Sequence, residues 1–101
     1  MIHDWVARTP DGKEFQRADL LTTELLRAQP ITEMVVKTAM GYITIACQPD
    51  EIIHLFTRVQ HTLGEGPIPV PCAEIRNRTT GRTARVFLHP ERGIIFSSLE
   101  S

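Results

Sequence analysis

Apolar positions in the stretch "PDEIIHLFTRVQHTLGEG" fall at Ile52, Leu55, Phe56, Val59 and Leu63, the spacing of one helical face. Pro49 suits a first helical turn, Asp50 and Glu51 suit the positive end of a helix dipole, and Gly64 suits the position after the end. The spacing therefore predicts a helix here. A second helix is predicted over "RADLLTTELLRAQP", where Leu21, Leu25 and Ala28 follow i, i+4, i+7 and Pro30 stops the run.

Shorter apolar runs broken by turn residues predict hairpins. "DWVARTPDGKEFQ" places Thr9-Pro10-Asp11-Gly12, with Pro second and Gly fourth, between strands at about 4–8 and 13–16. "ITEMVVKTAMGYITIAC" is rich in β-branched residues, with Gly41 at the turn. The prolines at 67, 69 and 71 predict an extended connector and argue against a central strand. Residues 72–98 read as three antiparallel strands, with turns at Thr80-Gly81 and at His89-Pro90-Glu91-Arg92-Gly93. The expected order is ββαββαβββ. This is an α+β fold, a mostly antiparallel sheet with two helices on one face, forming a single domain over residues 1–101.

Register sharpens one segment, "RNRTTGRTAR". With Thr80-Gly81 as a two-residue turn, Asn77, Ile75 and Ala73 face Ala84, Val86 and Leu88 on an apolar side. Arg76 then stands directly opposite Arg85 on the outer side, with Arg78 diagonal to it and Arg82 at the tip. Like charges in that position cost a few tenths of a kcal/mol. Either an anionic partner or an internal acid must answer them. Arg76, Arg78, Arg82 and Arg85 are the candidate partner- or anion-binding residues. On the helical reading, His54, Arg58 and His61 form a secondary polar stripe along a solvent face. Its two histidines stand roughly 10 Å apart along the axis, too far to share one metal.

Charge and composition narrow the picture. The chain has 101 residues and net charge -1, which argues against a dedicated nucleic-acid coat. The balance is uneven: residues 1–51 carry net -3 and residues 52–101 net +2, with every base of the second half an arginine. Two cysteines, Cys47 and Cys72, suggest no disulfide framework, and no apolar run is long enough to span a membrane. The expected location is the cytoplasm, with no membrane partner.

No motif announces chemistry. There is no phosphate-binding glycine loop, Cys-x-x-Cys, His-x-x-x-His or Gly-x-Ser-x-Gly. No catalytic, metal or cofactor residue is assigned. The first expectation is a small non-catalytic binding or regulatory module acting through protein–protein contact, with another protein or as a homodimer. The second is nucleic-acid or anion binding through hairpin 76–85. The third is a small enzyme built on Cys47 or Cys72 with His54, His61 or His89.

Overall fold

The computed structural model describes the backbone of residues 2–62, 64 and 66–99, and the side chains of these except at 62 and 99. Among the described residues nine strands dominate: β1 (Ile2–Arg8), β2 (Glu14–Gln16), β3 (Gln29–Ile31), β4 (Glu33–Thr38), β5 (Gly41–Ala46), β6 (Glu51–Thr62), β7 (Gly66–Asn77), β8 (Thr83–His89) and β9 (Gly93–Leu99). One antiparallel sheet has the order β2-β1-β4-β5, the other β3-β6-β7-β8-β9. The helical regions are a 3-10 turn at Arg17–Asp19 and a single turn, α1 (Thr23–Leu26). The α+β expectation of two helices on one sheet is therefore overturned by two antiparallel sheets.

The longest predicted helix is β6. "EIIHLFTRVQHT" fits two templates at once. Besides the helical stripe, its odd positions Ile53, Leu55 and Thr57 alternate with polar His54 and Arg58, and five of its twelve residues (Ile52, Ile53, Thr57, Val59, Thr62) are β-branched. Strand period won: Ile53, Leu55 and Thr57 are buried, whereas Val59 of the helical stripe is 43% exposed. Leu63, the stripe's last member, lies outside the described residues. The apparent helix-start signals serve a turn, in which Glu51 N–H donates to Gln48 O at 2.9 Å and Glu51 Oε1 accepts from Gln48 N–H at 3.1 Å. Pro49-Asp50 fill the middle of that turn, where the preferred backbone angles resemble those of a first helical turn.

The other predicted helix breaks at Thr22. Its backbone is extended (ψ 152°), and its hydroxyl accepts from Leu25 N–H, so it caps one short turn. Leu25 is fully buried, while Leu21 and Leu26 lie exposed. The Thr57 hydroxyl donates to Leu20 O and ties this segment to β6. Pro30, read as a helix stop, sits in β3 opposite His54.

The prolines of β7 explain their own placement. Asn77 N–H bonds Arg82 O, so the odd residues of β7 turn their backbone groups toward β8. Pro67, Pro69 and Pro71 share that parity, so each missing N–H faces away from β6. The β6–β7 ladder therefore runs unbroken from Glu51↔Asn77 to Thr62↔Gly66. Toward β8 the pairing covers only Cys72 to Arg76 and stops at Pro71. The proline-rich stretch thus pairs on one side only: over residues 67–71 β7 lies at an edge against β6, and it is an inner strand only from Cys72 onward.

One buried cluster joins the two sheets. The first supplies Ile2, Trp5, Ala7, Phe15, Met34 and Val36; the second supplies Ile31, Ile53, Leu55, Ala73, Val86 and Leu88; Leu25 packs between them. A β-bulge between Ile2 and Asp4 lets Ile2 and Trp5 both turn inward despite their odd spacing. The chain crosses between sheets at Thr32, whose N–H donates to Arg8 O and whose carbonyl accepts from Cys47 N–H, both at 2.8 Å. Corners of this kind are how strands pass between packed sheets.

Candidate interaction surfaces

The arginine hairpin keeps its expected alternation but shifts its partners by two residues. Asn77 and Arg82 close a loop of residues 78–81, longer than the two-residue turn expected. Asn77 Oδ1 accepts from Thr79 N–H at 2.9 Å and Thr80 N–H at 3.0 Å, and Gly81 at φ +74° lets the chain return. Ile75 consequently pairs with Ala84, Glu74 with Arg85, and Arg76 with Thr83. Arg76 does not face Arg85. An internal acid answers Arg85 instead, with Arg85 Nε donating to Glu74 Oε2 at 3.0 Å between half-buried side chains. Arg76, Arg78 and Arg82 are exposed, and among the described residues none of them is in an ion pair.

The His54–Arg58–His61 stripe does not exist as such. Strand alternation puts His54 and Arg58 on the outer face, with Glu74 and Val70 as neighbours, and sends His61 to the opposite face beside Pro67. Arg58 therefore lies on the same face as Arg76 and Arg85. The Arg58 guanidinium lies 5.8 Å from the centre of the Phe87 ring. Between their strands runs β7, carrying Val70 and Cys72, both fully buried. Burial pushes the Cys72 thiol up to about 11, against a smaller downward pull from Arg85.

Cys47 and His89 are structurally employed. Cys47 Sγ donates to Glu51 O at 2.9 Å. His89 is buried, and its Nδ1 accepts from Glu91 N–H at 3.1 Å and Arg92 N–H at 3.0 Å, capping the β8–β9 turn. Among the described residues, no three His, Cys, Asp or Glu side chains gather to hold a metal ion. No helix among them is long and apolar enough to cross a membrane.

The four sheet edges differ in kind. β2 (Glu-Phe-Gln) and β3 (Gln-Pro-Ile) have three residues each, and carry a charge or a proline. Those features discourage pairing with another chain. β5 (Gly-Tyr-Ile-Thr-Ile-Ala) and β9 (Gly-Ile-Ile-Phe-Ser-Ser-Leu) are longer and have neither. Phe96 pairs with buried Val86 and so points to the core side, yet it is 72% exposed. Ile43 stands likewise beside buried Val36 and is 43% exposed. Core-directed side chains left open at an edge are the feature the sequence reading missed. The runs "GYITIA" and "GIIFSS" carry the signal, but only topology shows that they are edges.

Comparison with protein-family models, characterised proteins and solved structures finds no match for this chain.

Proposed function

We propose that the protein is a non-catalytic interaction module that pairs with a second copy of itself through β9. The observation that carries this reading is the open, uncharged edge centred on Phe96. The Asn77–Arg82 bond fixes which backbone groups of β8 face β7. Alternation then leaves the N–H and C=O groups of Ile94, Phe96 and Ser98 on the free side of β9. Phe96 is the middle residue of Gly93–Leu99, so two copies can pair antiparallel about it with the same patch on each side. Pairing would satisfy the open backbone groups and cover both phenyl rings.

Light scattering on a size-exclusion column is expected to give a dimer, and Phe96→Lys a folded monomer. Amide exchange should show Ile94, Phe96 and Ser98 protected in the wild type and released in the variant. A wild-type monomer at the highest soluble concentration would defeat the proposal.

A second reading is anion binding at the hairpin tip. In its favour, Arg76, Arg78 and Arg82 are exposed and unpaired among the described residues. It is expected to appear as affinity for single-stranded oligonucleotides that falls steeply with salt and is lost in the triple alanine variant. No binding at low salt removes it.

A further inference from the structure

An apolar cavity of about 200 Å³ lies between the two sheets, where β1 meets the prolines of β7 and the end of β8. Ile2, Trp5, Leu20, Pro71 and Leu88 form much of its wall, and Arg17 belongs to its lining while remaining exposed. An apolar cavity of about 150 Å³ already admits a benzene ring, so this one has room for a ring and a short substituent.

Trp5 and Arg17 are the two polar side chains among the described lining residues, and they give the cavity a chemical preference. Trp5 is only 3% exposed, yet its indole N–H has no hydrogen-bond partner among the described residues. No fully buried side-chain nitrogen or oxygen there lacks a partner, so solvent must reach this one. Trp5 pairs with Val36, whose side chain lies in the core, which puts the indole on the core side of its sheet, where the cavity opens. The second group is the Arg17 guanidinium. Its Nη1 donates to His3 O at 3.1 Å, which holds the head group in place, and its other donors have no partner among the described residues. Both groups are donors, one of them cationic, and no acidic side chain is among the described lining residues.

We propose that this cavity binds a small organic carboxylate with a ring-sized apolar body. Arg17 and the Trp5 indole N–H would take the carboxylate, and Ile2, Leu20, Pro71 and Leu88 would enclose the body. A cationic ligand would meet Arg17 with no compensating acid. A purely apolar ligand would leave both donors unmatched.

Trp5 is the chain's one tryptophan, so a proton–nitrogen correlation spectrum shows a single indole signal. Phenylacetate is expected to shift it saturably. The neutral isostere phenylacetamide should bind about tenfold more weakly, as should phenylacetate to Arg17→Ala, because each loses a charge-assisted bond. Arg17 is exposed, so its alanine variant leaves the core intact. The proposal fails if phenylacetate at millimolar concentration leaves the signal unmoved. It fails equally if phenylacetamide matches phenylacetate, or if Arg17→Ala changes nothing. Tighter binding of a proline- or phenylalanine-bearing peptide without a free carboxylate would overturn it in favour of a peptide anchor.

Discussion

Ile53→Ala is expected to lower the free energy of unfolding by about 2–4 kcal/mol, and Ile52→Ala by under about 1.5 kcal/mol. The two residues are adjacent and identical, so only their placement separates them. Ile53 is 1% exposed and packs in the shared core cluster. Ile52 is half-buried on the outer face, opposite Arg76. Truncating Ile53 removes apolar contacts on all sides and leaves a cavity that two packed sheets cannot readily close. Truncating Ile52 opens space that water can fill. A helix over 49–63 predicts the reverse order, because Ile52 belongs to its apolar stripe and Ile53 does not. Urea unfolding followed by Trp5 emission measures both variants. A larger loss for Ile52→Ala would refute the strand register of β6.

That contrast marks where sequence pattern is decisive and where it is not. The first two hairpins were legible because their turns have few conformational options. Gly12 sits at φ +89° with its N–H on Thr9 O, and Gly41 sits at φ +120°, a region open to glycine and costly for other residues. β6 was not legible because one string satisfied both periods. Its length and the Pro-Asp-Glu start favoured the helix, and what decided against it was pairing with β7, a partner known only from the tertiary structure. The prolines do keep residues 67–71 out of a central strand, since that stretch pairs with β6 alone, but it is a strand and not the expected connector. Proline does exclude a strand when its missing N–H faces a neighbour, but three prolines at alternate positions all face the same way. In the arginine hairpin the in–out alternation followed from hydrophobic pattern, while the partners depended on loop length. Asn77, the last residue of β7, also closes and caps a four-residue loop, and that moves Glu74 opposite Arg85. Of the candidate residues, Arg76 and Arg85 fell on the predicted side of the sheet, whereas Arg78 lies in the loop and Arg82 closes it. The open edge at Phe96 needed strand order, which no local pattern encodes.

Cys72 should behave as a silent thiol in the folded protein and as a liability at high pH. Its folded pKa of about 11 stands against an ordinary value of 9.0, and the main cause is burial beneath the outer face of β7. At pH 8 that difference alone leaves about 100-fold less thiolate to react, before any loss of access is counted. A disulfide-exchange reagent is therefore expected to titrate one thiol quickly, that of half-buried Cys47, and the second only on adding denaturant. The same shift sets the sign of a stability change. Above pH 9.0 the unfolded chain releases the Cys72 proton while the folded chain keeps it, so unfolding is favoured as pH rises. The slope is about 1.4 kcal/mol per pH unit, amounting to roughly 2–3 kcal/mol by the folded pKa. Below the unfolded pKa the thiol is protonated in both states and contributes no pH dependence. The informative quantity is the difference between wild type and Cys72→Ala, which isolates the Cys72 proton. That difference should narrow from pH 9.0 upward and level off near 11, and a pH-independent difference would mean that Cys72 ionises as freely in the folded sheet as in the unfolded chain.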